Sequence, residues 1–219
     1  RAPEMSYPQL WQGQLQDGLA QMGVALSDSQ QAQLLAFLAL LNKWNKAYNL
    51  TAVRDEQVMV SRQLLDSLSI VPWITTDHLL DVGAGGGMPG IPLAIVFPDK
   101  RFALLDSNGK KTRFLNQCVL ELGLKNVDVI HGRAEDCQPE QPFRQISSRA
   151  FTALENLVTW CEQLLAQDGE FLAMKGQYPD DEVAALPSHW QVESNHSLNV
   201  PGADGERHLL VVTRHSSPR

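Results

Sequence analysis

Long apolar runs are missing from this sequence, because no stretch approaches the roughly 20 residues that a helix needs to cross a bilayer. Residues 1–5 also lack the basic-then-apolar order of a signal peptide. Cysteine is scarce: the three cysteines, Cys118, Cys137 and Cys161, are widely spaced and odd in number, which argues against a disulfide framework and a Cys-x-x-Cys zinc site. These absences predict a cytoplasmic protein with no membrane span, no disulfide framework and no metal.

Positive charge is also in short supply. The chain has 18 lysine and arginine residues against 25 aspartate and glutamate residues, a formal net charge of −7 at pH 7. Such a balance does not suggest a protein that coats nucleic acid in general. An RNA or DNA partner would therefore need a local basic patch, or help from other macromolecules.

Helical patterns fill residues 1–76. Ser27 is a candidate N-cap of a helix that should end near Asn49. One apolar stripe recurs along it at spacings of three and four residues, at Leu34, Leu38, Leu41, Trp44 and Tyr48. Asp55 is a candidate cap of a second helix that stops before Pro72. The apolar residues of this second helix are Met59, Leu64, Leu65 and Leu68. We expect residues 1–76 to form a helical extension packed on the rest of the chain.

Apolar runs alternate with helical patterns in residues 77–219. The predicted parallel strands are Leu79–Val82, Phe102–Leu105, Val127–Ile130, Phe143–Ser148 and Phe171–Met174. The predicted helices are Lys110–Leu124, a helix opened by the capping box Thr152–Glu155 and ended by Gly169, and Asp180–Leu186. The predicted closing antiparallel pair is Gln191–Val200 with His208–Val212. This order predicts an α/β, Rossmann-like core with a mostly parallel sheet and helices on both faces.

Four glycines stand within five residues directly after the first predicted strand, in the loop that begins at Gly83. Glycines permit a positive φ and leave no Cβ in the way of a ligand, and the helix that follows would present free N–H groups. The loop lacks the Gly-Lys-Ser/Thr ending of a Walker loop. It does fit the Gly-x-Gly-x-x-Gly fingerprint of dinucleotide-binding proteins, and Asp106 ends the next strand about 20 residues on, where an acid would hold a ribose.

Asp81 argues against a phosphate on this loop. Its carboxylate stands two residues before the first glycine, where it opposes a pyrophosphate and favours a cationic ligand. The loop resembles the Asp-x-Gly-x-Gly-x-Gly loop of class I methyltransferases, whose donor S-adenosyl-L-methionine carries an ammonium and a sulfonium group. We therefore predict this cofactor, with Asp81, Gly85 and Asp106 among its contacts. A nicotinamide dinucleotide, or a purely structural glycine loop, stays open at this point.

Further segments resemble a single family. In chain order they are Trp44–Thr51, Leu65–Leu68, Asp81–Pro92, Ser148–Phe151, Lys175–Gly176 and Asp204–His208. Together they are similar to the bacterial 16S ribosomal RNA guanine-N7 methyltransferases, also called glucose-inhibited division protein B, over nearly the whole chain from about residue 27. The resemblance implies methylation of guanine N7 in 16S ribosomal RNA, in the small ribosomal subunit or an assembly precursor. We also expect a monomer.

The same resemblance implies which residues hold the donor. Gly83 and Met88 would flank its methionine portion, and Ala134 and Glu135 would face its adenine. Arg149, after the fourth strand, would lie near the point where the methyl group is transferred.

Three of the predicted site residues also have a purely structural interpretation. Asp106 could be an ordinary helix cap before Gly109, and Glu135 could be a solvated acid on a short helix. Arg149 could simply bridge surface acids.

The segment after the fourth strand lacks two motifs, and this limits which kind of atom the enzyme could methylate. Ser147–Phe151 contains neither the Asn/Asp-Pro-Pro-aromatic stretch common in methylation of exocyclic amines nor the cysteine nucleophile used on pyrimidine carbons. Guanine N7 has a free lone pair, so its methylation requires neither proton removal nor a covalent intermediate. Orientation alone can supply up to about 7–11 kcal/mol. We therefore predict in-line transfer and no catalytic acid or base. Cys118 and Cys161 fall in helical patterns and are predicted to be small core residues.

The basic residues that are candidates for binding RNA are Lys43, Lys46, Arg54, Arg62, Lys110, Lys111, Arg113 and Lys175. Lys43, Lys46 and Arg54 surround the aromatic pair Trp44 and Tyr48, and charge interleaved with aromatics is typical of nucleic-acid surfaces. In the alternative interpretation the two aromatics are core residues, the Lys110-Lys111 pair is a solvated helix start and Lys175 forms a structural salt bridge. Arg207 is expected in a hairpin, with RNA contact open.

One position departs from the family pattern, which usually has histidine where this chain has Gln63. If that histidine contacts RNA or orders the helix, Gln63 must do so by hydrogen bonding without charge. Three wider alternatives stay open on the sequence: a methyltransferase of small molecules or proteins, a nicotinamide-dependent oxidoreductase, and a donor-binding regulator without turnover.

Overall fold

Residues 7–216 are described by a computed structural model. Residues 1–5, on which the absence of a signal-peptide pattern was judged, lie outside this range. No helix in residues 7–216 is both long and apolar enough to cross a membrane.

Two helices open the chain, α1 (Tyr7–Met22) and α2 (Asp28–Tyr48). Ser27 caps α2 through the predicted geometry: its hydroxyl accepts from the Gln30 N–H, and the Gln30 side chain accepts from the Ser27 N–H. Asn49 ends α2 in the left-handed conformation, with φ of 54°. The predicted bounds of this helix are therefore confirmed.

The second predicted helix differs from its prediction at its start. Asp55 lies in a turn, where its side chain accepts from the Gln57 N–H instead of capping a helix. The helical segment begins with a π-helical stretch, Val60–Leu65, and continues as the short helix α3 (Asp66–Leu68). Such widened turns often lie beside functional sites, because they change the direction of side chains.

Seven strands form one sheet. They are β1 (His78–Val82), β2 (Arg101–Asp106), β3 (Val127–His131), β4 (Phe143–Arg149), β5 (Leu165–Lys175), β6 (Trp190–Ser197) and β7 (His208–Arg214). Their order is β3-β2-β1-β4-β5-β7-β6. The first five strands pair in parallel, and β7 pairs antiparallel with both β5 and β6. The mostly parallel sheet and its closing antiparallel pair are confirmed.

Helices cover both faces of the sheet. They are α4 (Gly90–Val96), α5 (Gly109–Leu122), α6 (Leu154–Cys161) and α7 (Asp180–Ala184). Successive strand residues point to opposite faces, so Leu79 belongs to the cluster with α4 and α5 while Leu80 belongs to the cluster with α6. The N-terminal helices join the first cluster, where the ring of Phe37 lies 6.4 Å from that of Phe114. One apolar core therefore runs across the predicted boundary at residues 76 and 77, and the division into two domains stays a prediction.

The predicted capping box at Thr152–Glu155 is wrong. The N–H of Leu154, the first residue of α6, donates to the carboxylate of Glu182, a residue that lies 28 positions further on. The helix ends at Cys161, and Gly169 lies inside β5 instead of ending a helix. A contact distant in sequence has replaced the local cap.

The loops that follow β1 and β4 leave the middle of the sheet side by side. These two strands are neighbours, yet the chain continues from β1 towards β2 and from β4 towards β5, on opposite sides. Such a switch point opens a crevice at the carboxyl ends of the strands. The glycine loop, Asp106 and Arg149 all lie at this edge.

Candidate functional site

The carboxylate of Asp81 holds the glycine loop from behind. One oxygen accepts from the Gly90 N–H at 3.0 Å and the other from the Ser147 hydroxyl at 2.9 Å. Asp81 is buried and lines neither cavity described below. Both oxygens fasten the start of α4 to β4, and the direct contact of Asp81 with a cationic ligand stays a prediction.

Burial gives this carboxyl an unusual protonation equilibrium. Loss of hydration raises the pKa of Asp81 to about 7, against the opposing hydrogen bonds from Ser147 and Gly90. An unfolded aspartate has a pKa of about 3.9. Between these values the folded chain binds one more proton than the unfolded chain, so the free energy of unfolding should fall as pH rises from about 4 to about 7.

Asp81→Asn should remove this part of the pH dependence. The amide oxygen can accept from Gly90 and the amide N–H can donate to Ser147, so the packing is kept while the titration is lost. One unit of pKa difference corresponds to about 1.4 kcal/mol, so the contribution removed is on the order of several kcal/mol between pH 4 and pH 7. Urea unfolding at pH 5 and pH 8 measures it. Asp128→Asn, at an exposed ion pair with Arg101, should keep the wild-type difference, and an equally steep profile in both variants would contradict the assignment.

Asp106 fastens the glycine loop from the neighbouring strand. Its two oxygens accept from the Gly85 N–H at 2.9 Å and the Asn108 N–H at 2.8 Å. Asn108 caps α5, because its side-chain oxygen accepts from the backbone N–H groups of Lys110 and Lys111. The alternative of Asp106 as the ordinary helix cap is therefore not what the structure shows.

A smaller cavity of about 230 Å³ opens beside Asp106. Its lining includes Gly83, Asp106, Ala134, Glu135, Phe151 and Trp160. Phe151 and Trp160 meet edge to face, with ring centroids 5.9 Å apart. An apolar slot with an acid at one side suits a nucleoside, because the base can be buried while the acid accepts from ribose hydroxyls.

A larger cavity of about 540 Å³ adjoins the first at Gly83, which lines both. Gly85, Met88 and Arg149 lie on its floor and wall. Its outer walls come from residues 50–53 of the N-terminal part and residues 203–207 of the loop before β7. The structure thus brings all eight predicted donor-site residues to this edge of the sheet, with Asp81 behind the loop and the other seven on the cavity surfaces.

Arg149 is held rigidly at the wall of the larger cavity. Its guanidinium donates to the Arg62 carbonyl and the Asp66 carboxylate, both at 2.9 Å. It also donates to the Gln63 side-chain oxygen at 2.8 Å, and the Gln63 amide in turn donates to Thr51 at 2.9 Å. The ion pair of Arg149 is therefore with a buried acid, not with surface acids. Gln63 acts by hydrogen bonding without charge, as the sequence required.

Asp66 and Arg207 also line the larger cavity; the sequence reasoning named Arg207 only as a hairpin residue with RNA contact open, and did not single out Asp66. Asp66 is buried and pairs with both Arg149 and Arg207. Both lie in segments that contributed to the family resemblance, and that was the available signal. Their separation of 141 residues left no local pattern to show that they meet.

The basic candidates separate into two groups. Arg62 and Lys111 line the larger cavity. Lys43, Lys46, Arg54, Lys110 and Arg113 are exposed elsewhere on the surface. Lys175 donates to the Thr152 carbonyl and pairs with Glu182 at 2.9 Å, which is the structural salt bridge of the alternative interpretation.

Of the aromatic pair, one ring packs in the core and the other is exposed, so the core and the RNA-binding interpretations each fit one residue. Trp44 is half-buried, with its ring 5.7 Å from that of Phe114 in the core. Tyr48 stacks obliquely on Trp44 at 5.3 Å and leaves 42% of its surface exposed. Trp44 is therefore largely structural, and Tyr48 offers the exposed ring.

The cysteines are placed as expected of core residues. Cys118 and Cys161 are buried and Cys137 is half-buried. Burial raises the pKa of the Cys161 thiol to about 12. Among residues 7–216 no group of three or more histidine, cysteine, aspartate and glutamate side chains is arranged to hold a metal ion.

Comparison with known proteins gives concordant matches. A family model described as rRNA small subunit methyltransferase G matches residues 30–210. The Ribosomal RNA small subunit methyltransferase G of Marinobacter nauticus is 87% identical over 96% of this chain and 98% of its own length. The protein of the same name from Ectopseudomonas mendocina is 57% identical over 96% of this chain and 99% of its own.

Solved structures match the fold. The glycopeptide N-methyltransferase MtfA, complexed with S-adenosyl-L-methionine, superimposes with a TM-score of 0.61 over 70% of this chain and 88% of its own. The two sequences are 11% identical, so the likeness concerns the fold alone. That fold is the class I methyltransferase fold.

Proposed function

Because this chain belongs to the rRNA small subunit methyltransferase G family, we propose that it transfers a methyl group from S-adenosyl-L-methionine to N7 of a guanine in 16S ribosomal RNA. Membership in the family makes the chain a methyltransferase of small-subunit ribosomal RNA. The donor and the N7 position are the finer proposals. The observation that carries the donor is the pair of cavities joined at Gly83, and the N7 position rests on the family resemblance and on the motifs missing from Ser147–Phe151.

The two cavities suit the two halves of the donor. Asp106, Ala134 and Glu135 would hold the adenosine in the smaller cavity, and Gly83 and Met88 would flank the methionine portion in the larger one. Gly83 adopts a φ of 62°, a left-handed conformation that favours glycine, and it lines both cavities. When bound, the donor supplies a methyl group on a positively charged sulfur.

The larger cavity leaves room for an acceptor base beside that end of the donor. Residues 50–53, Arg149 and residues 203–207 surround it on three sides. The walls would restrict both the orientation of a base held there and the direction from which it approaches the donor. Orientation of this kind can lower a barrier by about 7–11 kcal/mol. The lone pair of N7 attacks directly, so the chain residues orient and exclude water and need not remove a proton.

The proposed partner is the small ribosomal subunit or a precursor of it. The net charge of −7 predicts weak attraction to bare RNA. Lys43, Lys46, Arg54 and Tyr48 are exposed, and Arg54 directly follows residues 50–53, which line the larger cavity. We infer that these residues contact RNA while proteins of the particle contribute the rest of the binding. A monomeric enzyme suffices for this geometry.

Transfer of labelled methyl tests the function directly. Small subunits from a strain that lacks the enzyme are incubated with methyl-labelled donor, and the RNA is digested to nucleosides. We expect the label in N7-methylguanosine, with a faster rate on the particle than on protein-free 16S RNA. Subunits from the parent strain, which already carry the modification, are the control and should accept little label. Label confined to ribosomal proteins, or to another nucleoside, would contradict the proposal.

A further inference from the structure

The carboxylate of Asp66 lies between two guanidinium groups. Arg207 donates through Nε to one oxygen at 2.5 Å and through Nη2 to the other at 3.0 Å. Arg149 donates to the second oxygen at 2.9 Å. The Asp66 side chain is only 6% exposed, whereas Arg207 is 23% exposed and faces the larger cavity. One buried acid therefore orients two cations at the cavity wall.

The bonds to Asp66 leave Arg207 with donors to spare. They use two of its five N–H groups, those of Nε and one of Nη2. Nη1 extends towards Gly176, another residue of the cavity lining, and would lie 3.9 Å from a Cβ at that position. The larger cavity is lined by four cations (Arg62, Lys111, Arg149 and Arg207) and three acids (Asp66, Asp204 and Glu206), a net charge of +1 on an acidic protein.

The loop that carries Arg207 is tied to the same part of the chain by a second contact. The hydroxyl of Ser61 donates to the Pro201 carbonyl at 2.7 Å. Ser61 and Asp66 lie on the same helical segment, and Pro201 and Arg207 lie in the connection between β6 and β7. The acid thus fixes both the direction of the Arg207 side chain and the position of its loop.

We propose that Arg207 binds a backbone phosphate of the RNA strand that carries the target guanine, and that Asp66 is the residue that positions Arg207 for this contact. This rests on the proposed function. A guanidinium whose Nε edge is engaged by a carboxylate presents its remaining N–H groups as a fork, and a fork of this kind matches the spacing of phosphate oxygens. Arg149, on the other side of Asp66, lies next to the glycine loop and the donor.

Arg207→Ala and Asp66→Asn test the two parts of this inference on small subunits that lack the modification. For Arg207→Ala we expect a roughly tenfold higher KM for the particle, and a plot of log KM against log salt that is shallower by about 1, the loss of one phosphate contact. Asp66→Asn should raise KM in the same direction. Because Asp66 acts on binding of the particle through Arg207, the double variant should show the KM of Arg207→Ala alone, whereas the turnover number of Asp66→Asn also reports its bond to Arg149. The donor Kd, measured by calorimetry, should stay within twofold of wild type for Arg207→Ala.

Asp77→Asn is the matched control, since it removes the same charge from a fully exposed side chain before β1, at the opposite edge of the sheet. Its KM should equal that of wild type. An unchanged KM and salt slope in Arg207→Ala, or a weakened donor Kd in its place, would overturn the proposal and indicate an anion of the donor. If Asp66→Asn does not fold, Arg207→Ala still decides. Filter retention of labelled subunits measures the Arg207 contribution even if no methyl is transferred, so failure of the phosphate contact and failure of the proposed reaction are distinguished.

Discussion

Gly83→Ala should weaken binding of the donor by about 100-fold, equivalent to roughly 2.7 kcal/mol. A Cβ at this position would lie 2.2 Å from Cδ1 of Phe151, much closer than two carbon atoms can approach. The φ of 62° adds about 1–2 kcal/mol of backbone strain for any residue with a side chain. Phe151 must therefore move, and since it lines the smaller cavity, the seat for the adenosine is lost. Calorimetric titration with S-adenosyl-L-methionine measures the effect.

Gly123→Ala separates the steric effect from backbone strain. Gly123 ends α5 with nearly the same conformation, a φ of 63°, and a Cβ there would meet no atom within 4 Å. This variant should lose about 1–2 kcal/mol of stability and bind the donor as wild type does. Equal donor affinities in the two variants would show that Phe151 adjusts without harm and would remove Gly83 from the donor seat.

Arg149→Ala should lower the turnover number about 100-fold, and the variant should still fold. Three bonds fix this guanidinium at the wall of the larger cavity, so its removal releases the wall where, in the proposed function, the donor and the acceptor base would meet. A 100-fold slower step corresponds to about 2.7 kcal/mol. Asp66 keeps its two bonds from Arg207, and the loss in unfolding free energy should therefore be about 1–3 kcal/mol. Single-turnover methyl transfer and urea unfolding give the two numbers.

Arg144→Ala is the control on the same strand. Arg144 lies near the start of β4 in an exposed ion pair with Asp168, with about two thirds of each side chain in solvent. Such pairs contribute about 0–1 kcal/mol, and the turnover number should not change. A normal rate in Arg149→Ala would exclude Arg149 from the transfer step.

The strands could be predicted because each is a short apolar run with a clear end. Leu79–Val82 and Phe102–Leu105 are buried on both faces, and strands of this kind give continuous apolar runs in the sequence. Helix α2 could be predicted at both ends for a local reason, since Ser27 and Gln30 cap each other and Asn49 adopts the left-handed conformation. Local rules succeeded wherever the partners of a group lie within a few residues.

Local rules failed where the hydrogen-bond partner of a group is distant in sequence. The Thr152–Glu155 pattern has the composition of a capping box, yet Glu182 supplies the acceptor from another helix. Asp81 has the position expected of a ligand-binding acid, yet Ser147, 66 residues away, takes one of its oxygens. The place of Asp81 in the first strand was predicted and the direction of its side chain was not.

The sequence of the glycine loop alone could not decide which ligand it binds. Its pattern fitted both a dinucleotide and S-adenosyl-L-methionine, and Asp81 was the residue that favoured the methyl donor. That carboxylate bonds to Gly90 and Ser147, and its direct contact with a bound cation stays a prediction. The family match decides for a methyltransferase and against the nicotinamide-dependent oxidoreductase. The series of family segments across the chain predicted a methyltransferase correctly, and it is stronger support for that prediction than Asp81 alone.

The contacts between the Ser61–Asp66 segment and the last hairpin join parts of the chain that a ribosome makes at different times. Asp66 precedes Arg207 by 141 residues, which corresponds to roughly 7 to 28 seconds of synthesis at 5–20 residues per second. Every residue that lines the smaller cavity has been added once Trp160 is in place, whereas the larger cavity gains its last wall with Arg207. Each growing chain therefore passes through a stage at which the lining of the smaller cavity, the proposed adenosine site, has been synthesised and the last wall of the larger cavity, the proposed RNA site, has not.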